Sequence, residues 1–224
     1  MGSWPLIVVA GLVVYRPLWR PARMVITYLH ELGHVAATLL GAGRPRGLHL
    51  RGDTSGLTEW ERTLTPGPLG SLGHRLATAF VAGAGYPAPG IAGLALTACA
   101  VSGDRAVRAA FAALAVGAVA SLWLARGWRT VGVVVLFAAA AGCGAWRPLA
   151  EVLAGFALFA CIGGLRSSLE LWRLRPRRGD GSDPGQLATV LLLPARMWTV
   201  GFVAVNAATV AAAAGLLTGR IVLP

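Results

Sequence analysis

Apolar residues run through this chain in blocks long enough to cross a bilayer, and the polar residues gather at the joints between them. The blocks cover about 76–100, 107–125, 130–146, 149–165 and 196–217, with a further one at 24–42 that polar groups interrupt and a short one at 3–15. A helix needs about 20 mainly apolar residues to span the hydrocarbon core, so the pattern predicts an all-α polytopic membrane protein of six to seven transmembrane helices. Three segments break the pattern. Residues 43–75, rich in Gly, Pro and charge, are too polar to span. Leu48 and Leu50 alternate there with His49 and Arg51, RGDTSG supplies turn residues, and LTEWE follows. This predicts a small β-hairpin at the membrane surface, with the RGD triplet serving the turn. The stretch GAGYPAPG, 83–90, should break an apolar helix. Backbone groups freed inside a bilayer need protein or water around them, so the break is expected to face inward and to lie next to the helix carrying residues 30–34. The third segment, 165–198, passes from a helix end through the basic run 173–178 into a flexible, acidic GDGSDPG.

Composition agrees with the pattern. The 224 residues are 56% hydrophobic and only 13% charged, with a mean hydropathy of +0.66. The formal net charge of +11 comes wholly from arginine, spread over the joints rather than gathered on one soluble module. This points to anionic lipid headgroups of the bilayer as partner and away from nucleic acid. Cys99, Cys143 and Cys161 each lie in an apolar block without CxxC spacing, which argues against a disulfide framework or a thiolate metal site. The first apolar run has its arginines after it and none before, as in a retained segment rather than a cleaved signal. No linker separates two domains, and 1–224 reads as one membrane-embedded domain. Oligomeric state is not legible.

The chemistry concentrates in HELGH, residues 30–34. On a helix His30 and His34 lie one turn apart on the same face, where both imidazoles can bind one metal ion. Glu31 stands beside them, placed to act as a base on water rather than to ligate. Three ionisable groups within five positions would each cost a few kcal/mol in a membrane unless paired or metallated. Zinc held by two His needs a third protein ligand, and His49, Asp53, Glu59, His74, Asp180 and Asp183 are the candidates that spacing leaves open.

HELGH in an apolar helix, followed in order by GLHLRGDTSGLTEW, GAGYPAPG and GSDPGQLATVLLLPARMW, resembles the compact bacterial branch of the site-2 protease family, intramembrane zinc metallopeptidases. The resemblance implies a zinc-dependent endopeptidase of the bacterial plasma membrane that cuts membrane-spanning protein substrates. In that family the third ligand is a downstream aspartate, often in a Leu-Asp-Gly context that is missing here. The Ser-Asp and Gln-Leu-Ala elements of the compact branch match SDPGQLA, which implies Asp183 as ligand with Asp180 as the alternative. The family's substrate-holding Asn has no clear counterpart, since Asn206, the only Asn, lies in the last apolar block. If the basic run 173–178 faces the cytoplasm, counting spans places 126–129, 43–75 and Asp183 on that same side, and Arg16, Arg20 and Arg23 opposite. A catalytically silent scaffold would keep the same fold, and a transporter would share the broken helices, although two related halves are not visible. The hairpin at 46–61 offers a strand edge to an extended peptide.

Overall fold

The computed structural model describes residues 4–62 and 68–221. In chain order it has α1 (Trp4–Val14), α2 (Arg16–Ala37) running into a π-helical turn (Thr38–Ala42), β1 (Gly43–Leu50), β2 (Gly56–Arg62), α3 (Pro68–Ala84), α4 (Ala88–Val101) and α5 (Asp104–Ser121). There follow β3 (Ala125–Arg126), α6 (Trp128–Trp146), α7 (Ala150–Leu174), α8 (Asp183–Leu191) and α9 (Ala195–Leu217). The fold is mostly helical with a small sheet. Every apolar block of the sequence that lies within the described residues becomes a helix.

Three helices, α6, α7 and α9, are long and apolar enough to cross a membrane. The bent pair Leu72–Ala84 and Ala88–Val101, whose axes differ by 59°, is apolar enough to make a fourth if it crosses as one broken span rather than returning as a re-entrant loop. This is fewer than the six to seven spans expected, and charge is the reason. The helix α2 carries Arg16, Arg20, Arg23 and Glu31, and α5 opens with Asp104, Arg105 and Arg108. The 11 residues of α1 are about half of what a crossing requires, so the arginines that follow it need not be on the far side. Large apolar side chains face outward around the bundle, including Leu136 on α6. Trp128 and Trp146, at the two ends of α6, are both exposed. They stand roughly 27 Å apart at 1.5 Å per residue, close to the hydrocarbon thickness over which interfacial tryptophans are spaced.

The predicted hairpin is present. β1 pairs antiparallel with β2 from Gly43↔Arg62 to Leu50↔Gly56, with an irregularity between Pro45 and Gly47 where proline lacks the amide a ladder needs. The RGDTSG segment makes the turn, closed by Arg51 N donating to Ser55 O at 2.8 Å. The short β3, which sequence patterning missed, adds parallel to β1 through Leu48↔Ala125 and His49↔Arg126, giving the order β2-β1-β3. This pairing ties 125–126 to the hairpin. The inner face of the sheet rests on the bundle: Leu48 and Leu50 are buried with Tyr28, Val35, Ala118 and Val134.

The core centres on α7, which packs along α4 and α9. A Cβ at Gly93 would lie 2.6 Å from the Ala157 carbonyl oxygen and 2.9 Å from the Cys161 amide nitrogen. Only glycine permits so close a helix approach, the small-residue device by which membrane helices associate without a hydrophobic driving force.

Candidate metal centre

α2 presents a polar stripe on an otherwise apolar bundle element. Arg16, Arg20, Arg23, Thr27, His30 and His34 recur at helical spacing, with Glu31 beside the last two. The imidazoles meet edge to face, with centroids 4.7 Å apart and Nε2 atoms 3.0 Å apart. His34 Nδ1 lies 2.8 Å from the Val81 carbonyl oxygen. A carbonyl only accepts, so the proton belongs on Nδ1 and the Nε2 lone pair is turned toward His30.

Asp183 reaches this pair from the other end of the chain. Its Oδ2 lies 3.2 Å from His30 Nε2 and 3.3 Å from His34 Nε2, and one ligand atom from each of the three residues falls within 4.8 Å of the others. The GDGSDPG segment, read from sequence as flexible, is folded. Ser182 caps α8 by accepting from Gly185 N at 3.2 Å, and Pro184 occupies the first turn, where its missing amide costs nothing. Arg75 on α3 fixes the other end of α8, its Nε and Nη2 donating to the Val190 carbonyl at 2.9 and 2.6 Å. Asp180 is occupied elsewhere. Its carboxylate accepts from Arg177 N at 2.7 Å and from Ser182 N at 3.0 Å, closing the turn before α8. Partial burial pushes its pKa up, but the Ser182 hydroxyl and these amides outweigh that and hold it below the usual carboxylate range.

The remaining sequence candidates lie apart from the histidine pair. His49 and Glu59 face each other across the hairpin at 3.3 Å. Asp53 sits exposed in the turn, where the Ser55 hydroxyl at 2.7 Å and the Ser55 amide at 3.0 Å hold its carboxyl below its ordinary pKa. His74 is on α3 beside Thr78.

The three converging atoms suit a divalent cation. Asp183 Oδ2 is buried and has no aligned hydrogen-bond donor among the described residues, although both imidazole nitrogens are near. Two neutral imidazoles and one carboxylate are a donor set that zinc takes, with a coordination position left over. Glu31 is outside this set. Its Oε2 accepts from the Thr58 hydroxyl of β2 at 2.6 Å, and the side chain is 3% exposed. A cavity of about 150 Å³ opens beside His30 and Glu31, lined also by Thr54 and Ser55 of the hairpin turn and by Tyr86.

The helix break at 83–90 lies against this site, as expected. A Cβ at Gly85 would fall 2.5 Å from His34 Nε2 and 2.7 Å from His30 Cε1, and one at Gly33 would fall 2.8 Å from the Ala84 carbonyl oxygen. Glycine on both sides lets the break touch the imidazoles.

The family model described as Peptidase M50B-like matches residues 4–213. The chain belongs to that family. This is a family of site-2 protease type, so the apolar bundle is that of a membrane peptidase. No curated protein and no solved structure matches the chain.

Sequence reasoning missed several residues that build the site of this M50B-like peptidase. Thr58 holds Glu31. Tyr86 meets the His30 ring edge to face at 4.6 Å and stacks on Phe202 at 5.2 Å. Asn206 of α9 anchors the break: its Nδ2 donates to the Tyr86 carbonyl at 3.0 Å and lies 3.0 Å from Ser168 Oγ and from the Phe202 carbonyl oxygen. A lone Asn in an apolar span marks a polar role in a membrane protein. For Thr58 and Tyr86, residue type alone carried no signal.

Proposed function

We propose that the chain is an intramembrane zinc-dependent endopeptidase of the cell membrane, hydrolysing peptide bonds of membrane-spanning protein substrates. The convergence of His30 Nε2, His34 Nε2 and Asp183 Oδ2 beside the buried Glu31 carboxylate carries this reading. His30, His34 and Asp183 would hold the metal. When bound, zinc supplies Lewis acidity toward a carbonyl and lowers the pKa of water toward neutrality. Glu31 takes the proton of the attacking water and delivers it to the leaving amine. The Thr58 hydroxyl, donating to Oε2, fixes the carboxylate beside the cavity for that transfer. Val81 keeps His34 in the tautomer whose Nε2 can ligate.

The outer edge of β2 supports a route for substrate. Among the described strands β2 pairs only with β1, and Gly56 and Thr58 bring it against Glu31. A substrate segment unwound from its helix would add to this edge as an extended strand, with its backbone presented to the base.

The test is turnover and metal content measured together on the full chain in lipid vesicles with a single-span substrate. Glu31→Gln retains zinc and loses at least about 100-fold in rate, because the proton-transfer step loses its base. His34→Ala loses metal and rate together. Wild-type chain that binds zinc yet cleaves no substrate across a broad panel would favour a catalytically silent scaffold instead.

A further inference from the structure

The polar stripe of α2 does not stop at the metal centre. Seven residues before His30, Arg23 lies on the same face and lines the same cavity as His30, Glu31 and Tyr86. At 1.5 Å per residue that is roughly 10 Å along the helix, the distance an extended peptide covers in about three residues at 3.3 to 3.4 Å each.

Arg23 also carries charge that its neighbours leave unspent. Its one ion pair among the described residues is Nη1 to Glu170 Oε2 at 3.6 Å, beyond hydrogen-bonding reach. Glu170 is already engaged through Oε1, which accepts from Trp19 Nε1 at 2.9 Å and from Arg166 Nε at 3.0 Å. Arg166 in turn lies over the Trp19 ring, 4.3 Å from its centroid. Two guanidinium groups thus share one carboxylate, and Arg23 is the looser partner, partly exposed at the cavity. Its five donors in a planar fork match a carboxylate.

Resting on the peptidase reading, we propose that Arg23 forms a specificity subsite for a carboxylate-bearing side chain, Asp or Glu, about three residues from the scissile bond. Glu170, itself held by Arg166 and Trp19, keeps the Arg23 side chain beside the cavity. The substrate chain then runs along α2 with its backbone at the metal centre and its acidic side chain at Arg23.

The experiment uses the full chain in phosphatidylcholine vesicles with single-span substrates bearing Glu, Gln or Lys at each position up to four residues either side of the cleaved bond. Wild type should favour the Glu substrate over its Gln counterpart by about tenfold at one such position, mainly through KM. The ratio should fall to near one in Arg23→Gln, persist in part in Arg23→Lys and turn toward the Lys substrate in Arg23→Glu. Equal kcat/KM for Glu and Gln substrates at every position in the wild type overturns the subsite. So does a Glu preference that Arg23→Glu leaves untouched. Affinity of the Glu31→Gln chain for the same labelled peptides is measured in parallel and needs no turnover. If nothing is cleaved but the Glu peptide binds about tenfold tighter and loses this in the Arg23→Gln, Glu31→Gln double variant, the subsite stands and the peptidase reading falls. Equal binding of Glu and Gln peptides there sinks the subsite by itself.

Discussion

Gly85→Ala is the sharpest perturbation of the proposed metal centre, because it alters no polar group. Gly85 lies in the turn between α3 and α4 and has no positive φ that alanine would resist, so backbone strain does not enter. Space does. The added methyl would lie 2.5 Å from His34 Nε2, 2.6 Å from His34 Cε1 and 2.7 Å from His30 Cε1. Comfortable contact is about 3.5 to 4.0 Å, so the turn or the imidazoles must move by about 1 Å. The His34 ring is held at Nδ1 by Val81, on the same stretch of α3 that leads into the turn, so the shift falls on the ligand geometry. Disturbing the groups that orient metal ligands typically lowers affinity about 10- to 100-fold, or about 1.4 to 2.7 kcal/mol. The control is Gly83→Ala, two residues earlier, where nothing lies within 4 Å of the new methyl. It should bind metal as wild type does and gain about 0.5 to 1 kcal/mol of stability, since Gly83 is inside α3. Competition titration with a zinc chelator, beside a thermal melt in the same detergent, measures both quantities. A Gly85→Ala chain whose zinc affinity stays within about twofold of wild type would refute the packing argument.

Other outcomes follow from the same contacts. Asp183→Asn should lose zinc and activity, whereas Asp180→Asn should keep the metal and loosen only the turn before α8; metal analysis of the two variants separates them, and the reverse pattern would exchange their roles. Asn206→Ala leaves the Tyr86 carbonyl buried without its side-chain donor, which should cost about 1 to 3 kcal/mol in reversible unfolding and lower activity further than zinc affinity, because the break rather than a ligand is released. Thr58→Val removes the hydroxyl that holds Glu31 and should lower kcat with zinc content unchanged.

How far the sequence could be read depended on the range of the interaction. HELGH announced its own geometry, since one helical turn sets the histidines together whatever surrounds them. The alternation about His49 announced the hairpin, and two prolines among three glycines announced the break. The number of crossings was less legible. Apolar length alone ignored the arginines of α2 and the charged opening of α5, which place those helices below the apolarity of α6, α7 and α9. In 179–185 the glycines suggested flexibility, yet Ser182, Asp183 and Pro184 also spell a helix start, and that signal prevailed. Asp183 came to the histidines through the family resemblance. Spacing alone left five other candidates, because the 148 residues between His34 and Asp183 carry no local record of the approach. β3 escaped for the same reason: two residues make a strand only because β1 is already there.

The electrostatics explain why the site depends on glycine as much as on its ionisable groups. Glu31, His34 and Asp183 are withdrawn from water in a bundle that is otherwise apolar, where each must be offset by close partners. Those partners come from elements far apart in sequence: β2 for Glu31, α3 for His34 and the histidines of α2 for Asp183 on α8. β2 and the 83–90 break come against α2 more closely than side chains would permit. Glycine stands at these approaches. A Cβ at Gly56 would overlap the Glu31 carboxylate, one at Gly85 the imidazoles, and at Gly90 and Gly164 the obstacle would be Asn206 Oδ1, which anchors the break. Keeping the polar residues is therefore not enough to keep their geometry. A chain with every ligand intact but alanine at 85 should bind zinc poorly.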